Sequence, residues 1–495
     1  MNMFVNLPDN HQELAKLAEQ MESTGDFRQA ARYYYLAGKV AFATYSHEKA
    51  LNYLNKALAY TPDNMMELRY DIMLAKEKVY SVMTKPAARS KNLVALAALA
   101  DALDDDARRA EVAGQLVLFK LDNGEHQDAV SIVRLAVRIA QMAGNRQVVA
   151  LLYNVWGLSY LRLDNYVSAK NKFQTAAEVA KEGGYVEVEA DAYRYLGVIY
   201  DVNGMYENAR ELLSRALSLY EQLNNKRGIA NVFNNLGKID FDQGRLFSAL
   251  NYWNRAKQVY LEIGDLVGNG RVSVNISASC LDLGNYDLAK TYGEEALQSC
   301  QKINLKFGEC LTLINLSLTH HYLGNQARAL ELADLALSMA KEMESKRLEG
   351  YACFSRAKAL QANGRLDDAE QAFLQTFSIW HVLNHSGLIA EVNSYLAELR
   401  LQKGDKAGAL AYVDTAVTHI LNGLSLEGTE SAFYTYRNCY QTLTALQDSR
   451  AEKLLRLAYK QLQESASSIT DEDAKAKFLQ VEAHRQLIEA YQTIT

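Results

Sequence analysis

A forty-residue period places Gly204, Gly244, Gly284, Gly324, Gly364 and Gly404 at one phase and Ala209, Ala249, Ala289, Ala329, Ala369 and Ala409 five residues later. Phase locking of this kind means that one structural unit is stacked many times. Such a stack buries its core between neighbours and presents a long surface instead of a closed cleft, so the pattern speaks for binding before it speaks for catalysis. It also removes the size limit on a single compact core, and 495 residues fit one continuous array.

Each block is a pair of helices. With only 3 Pro and 49% hydrophobic residues, the chain favours helix nearly throughout, and no strand pattern is visible. In the block Asn231 to Gly270, an apolar-periodic helix over Val232 to Phe241 stops at Asp242-Gln243-Gly244, and a second helix carries Ala249, Trp253, Ala256 and Val259. A second break falls at Asn224-Asn225, Gly264-Asp265, Asn304 and Asn384, residues that tolerate a left-handed backbone at a helix end. Gly157, Gly197, Gly237, Ser277, Ser317, Ala357 and Ala397 lie mid-helix, where a glycine costs about 1 kcal/mol against alanine. A closely approaching helix explains them, with Ala209 and Ala216, or Ala249 and Ala256, as the matching small faces.

The set Tyr193, Leu196, Gly197, Tyr200, Ala209 and Ala216 resembles the tetratricopeptide repeat, in a forty-residue variant with helices about a turn longer and no closing proline. Arg32 to Asp63 resembles the ordinary 34-residue form, with Gly38, Ala50, Ala57 and Pro62 at the expected spacings. The resemblance implies an all-α fold, a right-handed α-solenoid or superhelix of helix hairpins, about ten in number. The expected organisation is N-terminal helices with one 34-residue repeat over 1–64 and a degenerate repeat over 65–110. About eight forty-residue repeats over 111–423 and a C-terminal helical cap over 424–495 complete it. The register runs back through Gly124, Ala129 and Ala136, but the small-residue phase is lost around Lys85 to Ala88. Past Gly423 the period ends, while helical patterning continues over Ser431 to Leu446, Arg450 to Ser467 and Asp471 to Tyr491. Extra helices there would hide the last repeat's apolar face.

The tail, with Phe478-Leu479, His484-Arg485 and Leu487, resembles the end of bacterial STAND-class signalling ATPases and related adenylate cyclases and transcription regulators. The opening segment, Gly25-Asp26-Phe27, Ala30-Ala31 and Gly38, resembles the start of their repeat region. This implies that an ATPase domain missing from this chain is a partner.

Several functions are disfavoured. A net charge of -6 and the lack of a Lys/Arg-rich stretch argue against direct nucleic-acid binding. The longest apolar run, Leu93 to Ala100, is far short of the roughly 20 residues that span a bilayer, so a soluble, cytoplasmic chain without membrane contact is expected. Cys280, Cys300, Cys310, Cys353 and Cys439 have no metal-type spacing and read as free, buried thiols. Gly38-Lys39-Val40 lacks the rest of a phosphate loop, and Gly268-Asn269-Gly270-Arg271-Val272-Ser273 ends in Ser273 where a dinucleotide fingerprint has glycine. His320-His321 point about 100° apart on a helix, and His381 with His385 has no third ligand nearby. Asp104-Asp105-Asp106 reads as a solvated helix entry, and the 30 Tyr and 14 Phe mostly as core. The expectation is a binding protein without cofactor, metal or catalytic role.

The candidate site lies on the first helix of each repeat, which in the resembling family lines the concave groove. Asn154, Arg194 and Asn234 share one phase, and Asn235, Asn275 and Asn315 follow one residue on. Asparagine is mildly unfavourable mid-helix. A ladder of amides can hydrogen-bond along an extended peptide backbone, or each amide can simply bond the neighbouring helix. Lys238, Arg271, Arg356 and Lys358 add positive charge, suited to an acidic or C-terminal segment. The reading is a protein-interaction and sensor module for signal transduction, binding a peptide or protein in its groove as the regulatory part of a larger signalling ATPase. A stand-alone adaptor sequestering one partner, or the small-molecule effector-sensing domain of a transcription regulator, is the alternative. Each requires that the hollow side of the stack be open to a guest.

Overall fold

The computed structural model describes residues 10–83, 85–302, 305–426, 429, 432–469 and 471–494. Among them are 25 helices and no strand. First helices begin at Met66, Asp106, Arg146, Val186, Lys226, Leu266, Lys306, Lys346 and Ser386, each forty residues after the last. The period thus runs unbroken through 65–110, where the small residues lose it. Pro86, at the first position of its helix, and Asp104, at φ +49, supply entry and exit there by other means.

The turns follow from backbone sterics. Gly244 at φ +71 and Gly284 at φ +72 occupy the left-handed region open to glycine at no cost, and the second break uses Asn224 at φ +50 and Asn384 at φ +56. Asn304 lies outside the described residues. Side-chain caps close several entries, as where Asn165 accepts from the Ser168 backbone N–H at 3.1 Å and Asp405 from that of Gly408 at 2.8 Å.

The mid-helix small residues answer to a bulky partner. A Cβ on Gly157 would lie 2.6 Å from the Phe173 ring, one on Gly197 2.9 Å from Leu213, and one on Gly237 2.6 Å from the Trp253 indole. The residue pressing on the glycine is therefore the large one four positions after the first alanine, not the alanines themselves, although these are fully buried. Where serine replaces glycine the hydroxyl finds a bond, with Ser277 donating to the Ala289 carbonyl at 2.8 Å and Ser317 to that of Ala329 at 2.7 Å. A buried hydroxyl without a partner would be costly.

The described residues fall into two compact units. One comprises those up to Asn235 together with Gln258–Leu266, the other Leu236–Lys257 together with those from Val267 onward. In the first unit, the start of the His47–Tyr60 helix lies beside the turn at Ile263 to Asp265, with His47 hydrogen-bonded to the Ile263 carbonyl. In the second, the helices Ala432–Ala445 and Arg450–Ser467 cap the last repeat. Tyr436, Cys439, Leu443, Leu454 and Leu455 bury Ala397, Val413, Ala416 and Ile420.

The final stretch departs from the expected single helix over 471–491. It is two helices, Glu472–Gln480 and Glu482–Gln492, broken at Val481 with φ -52 and ψ 132. No glycine or proline causes this break. The Phe478 carbonyl near it accepts a 2.6 Å bond from the imidazole Nδ1 of His484, and Val481 seats its side chain against the Gly284 turn.

Candidate functional site

The first-helix positions proposed as a ladder are differently engaged. Asn154 is buried, and its amide nitrogen donates to the Val188 carbonyl of the next repeat at 2.9 Å, while its amide oxygen is buried without a hydrogen-bond partner among the described residues. Arg194 lies over the Tyr195 ring at 4.0 Å, with Asp191 and the Tyr220 hydroxyl each 3.4 Å away. Tyr220 in turn donates to Asp191 at 2.6 Å. Burial and the Asp191 charge hold its phenol well above the ordinary tyrosine range. One repeat later, Tyr260 donates to Asn231 at 2.7 Å. These tyrosines, at the end of second helices, bond the first-helix face, and sequence reading had placed them in the core.

Asn234 and Asn235 are half-buried, and the Asn235 amide nitrogen has no acceptor among the described residues. In the second unit, Lys238 is exposed and paired with Asp242, Arg271 is exposed, and Asn275 and Asn315 are half-buried. Arg356 pairs with Asp334 at 2.6 Å. Lys358, expected to add charge to an open face, is instead almost fully buried. Its ammonium donates to the Tyr322 hydroxyl at 2.6 Å and lies 5.1 Å from the ring of Tyr434 in the tail.

That last contact is part of a larger departure from expectation. In the second unit the first-helix side is covered by the chain's own C-terminal segment. Tyr434 packs on Tyr322 at 5.3 Å, and Arg437 reaches Glu398 at 3.5 Å. Leu462, Ile469 and Phe478 share one buried cluster with Leu246 and Leu283, and a Cβ on Gly284 would meet Val481 at 2.5 Å and the Lys477 carbonyl at 3.3 Å. The requirement of an open hollow therefore fails along this part of the stack. The tail carries enough apolar surface to bury itself there, which its alternating charges hide in the sequence.

His484 fixes the tail's fold. It is buried between Phe433 and Phe478, with ring centroids at 4.6 and 4.2 Å, and burial pushes its pKa down to about 4 against the support of the Phe478 carbonyl. All five cysteines are free and buried, and burial raises the thiols of Cys280 and Cys310 to about 12. His381 sits by Phe377 and His385 by Trp380, while His321 bonds Gln326 at 2.9 Å. Among the described residues no cluster of three or more His, Cys, Asp or Glu could hold a metal, and no helix is long and apolar enough to cross a membrane.

A repeated helix hairpin with glycine-pinned turns defines the class as an α-helical repeat protein of the kind used for protein interaction. More specifically, residues 147–222, 188–262, 228–302 and 268–342 match the tetratricopeptide repeat family, as do residues 31–64, and these segments are tetratricopeptide repeats. No curated protein matches the sequence. Similar solved structures include a Rap protein complexed with competence and sporulation factor, at 13% identity over 70% of this chain and 98% of that one, with a TM-score of 0.49. Aspartyl phosphate phosphatase F from Bacillus subtilis is similar at 15% identity over 76% and 96%, TM-score 0.46. A signal transduction ATPase with numerous domains and a tetratricopeptide repeat sensor, from Pyrococcus horikoshii, is similar at 15% identity over 84% and 74%, TM-score 0.44.

Proposed function

We propose that this chain recognises a peptide or protein partner along the first-helix face of its first unit, through Asn154, Arg194, Asn234 and Asn235. The observation that carries the reading is a pair of first-helix amides with an unmatched atom each: the Asn154 oxygen and the Asn235 nitrogen, set two repeats apart at neighbouring phases, each lack a hydrogen-bond partner among the described residues. Leaving a buried polar atom unmatched costs about 1–3 kcal/mol, and a main-chain N–H and C=O of an extended guest would remove that cost. In the second unit Lys238, Arg271, Asn275 and Asn315 extend the set, and a guest there competes with the tail.

A displayed library of extended peptides selected against the chain is the direct test. Selected binders should lose about fivefold in affinity on Asn235→Ala and again on Arg194→Gln, since each bond contributes about 1 kcal/mol. Binders indifferent to both substitutions, or none at all, would end the reading. The resemblance of the two ends to STAND-class regulators supports a role as the sensor part of such an ATPase. Gel filtration with an ATPase portion supplied separately should give a nucleotide-dependent complex, and its failure to form under any nucleotide condition counts against that role.

A further inference from the structure

The forty-residue period supplies its own reference for what each position needs, and one repeat departs from it in several places that converge. Arg134 and Arg138 lie one turn apart on the helix His126–Met142, at phases where later repeats carry Asn254, Glu294 and Asp334, or Glu178, Ser218 and Thr418. Lys172 stands where they carry Leu212, Tyr252 and Leu332, and Trp156 where they carry Leu196, Leu236 and Ile276. Packing of the repeat therefore demands none of the four.

All four line one cavity of about 450 Å³ within the first unit, completed by Val137, Gln141 and Tyr153. The lining holds three cations and no carboxylate. Arg134 and Arg138 are exposed, and neither guanidinium has an ion-pair or hydrogen-bond partner among the described residues. Two like charges at this helical spacing repel, and the wild-type pair persists without a compensating acid. The opposite wall is aromatic. Tyr153 and Trp156 stack with centroids 6.1 Å apart and planes 11° apart, and the Lys172 ammonium lies 3.9 Å from the Trp156 ring. The Trp156 indole nitrogen is buried and meets no acceptor among the described residues.

We propose that this cavity binds a small organic phosphate bearing a flat ring, a mononucleotide being the representative case. The two guanidinium forks and Lys172 take the phosphate, since a planar fork matches its oxygens two at a time. With Lys172 drawn off the Trp156 face onto the phosphate, the ring packs on the wall of Tyr153 and Trp156, which accepts any base because every base has a π-face. The volume suits a ligand of that size. Tyr153 and Trp156 share the helix Arg146–Leu161 with Asn154, but Arg134, Arg138 and Lys172 stand on second helices, so the arginine variants test this site without touching Asn154, Arg194, Asn234 or Asn235, and its failure leaves the partner reading standing.

The test is calorimetric titration of the whole chain with adenosine 5′-monophosphate, adenosine and inorganic phosphate in parallel, with tryptophan emission as a second readout. Trp253 and Trp380 are about 1% exposed, so quenching reports on Trp156. The monophosphate should bind saturably and at least roughly tenfold tighter than either fragment. The double variant Arg134→Gln, Arg138→Gln, at exposed positions, should keep its melting temperature and lose roughly tenfold or more. Trp156→Leu, the residue of other repeats, should erase the advantage of the monophosphate over phosphate. Equal binding of monophosphate and phosphate to the wild-type chain would overturn the proposal, as would unchanged affinity in the variants. Tighter binding of a polyglutamate peptide than of the monophosphate would also overturn it, and would assign the cations to an acidic protein instead.

Discussion

Acidification should lift the C-terminal segment from the second unit, and His484 sets how far. Its Nδ1 is committed to the Phe478 carbonyl at 2.6 Å, and its Nε2 is buried with no partner among the described residues. Adding a proton to Nε2 places an unmatched charge among Phe433 and Phe478, which is why its pKa falls from 6.5 to about 4. The folded tail thus binds that proton less tightly than the released one. The stabilisation is whole above pH 6.5 and is lost as the pH falls toward 4, about 3 kcal/mol in all at roughly 1.4 kcal/mol per pH unit, of which about 2 is gone by pH 5. Hydrogen exchange measured by mass spectrometry on peptides covering 472–492, corrected for the intrinsic rate, should show protection about thirtyfold lower at pH 5 than at pH 7.5. In His484→Asn the amide can still donate to Phe478 but cannot titrate, so protection should become nearly independent of pH over this range. Equal protection of the wild-type tail at the two pH values, or an undiminished loss in His484→Asn, would refute the assignment of the switch to this imidazole.

Gly284→Ala and Gly244→Ala impose the same left-handed strain, at φ +72 and +71, but only the former drives a methyl into the tail. Gly284→Ala should therefore lower the melting temperature further, by the equivalent of about 1–3 kcal/mol, and abolish protection over 472–492, while matched losses in the pair would remove the tail from the Gly284 turn. Gly237→Ala, whose Cβ meets the Trp253 indole at 2.6 Å, should lose about 1–2 kcal/mol in chemical denaturation despite its better helix propensity. Tyr220→Phe should cost about 1 kcal/mol by removing the 2.6 Å bond to Asp191, and no loss would show that the Arg194 cluster is not held by it. At pH 8.5 iodoacetamide should leave the five buried thiols of the native chain unlabelled and modify all five in guanidinium, because Cys280 and Cys310 titrate only at about 12.

The repeat was legible because its causes are local and recur. A glycine that must be left-handed and a small residue under Phe173, Leu213 or Trp253 leave the same mark every forty residues. The candidate face was legible only as a phase. Which amides are spent and which keep an unmatched atom depends on where Val188 and Tyr220 fall in the neighbouring helix, and a terminal tyrosine of a second helix reads as core whether or not its hydroxyl crosses over. The cations at Arg134 and Arg138 pass for a solvated helix face until the period is used to ask what other repeats hold there. The break at Val481 has no local sequence signal, since no glycine or proline marks it and the turn that Val481 packs on, at Gly284, lies nearly two hundred residues earlier. That contact also alters what kind of solid the second unit is. Repeats in a plain solenoid touch only their neighbours, so stability is close to a sum of local terms and the ends fray first. The helices over 432–467 cap the last repeat together with Leu487 of the final helix, and between them Ile469, Phe478 and Val481 return to Leu246, Leu283 and Gly284. A segment that ties the first-described repeat elements of this unit to its last makes their opening interdependent, so lifting the tail exposes apolar surface at both ends of the unit at once.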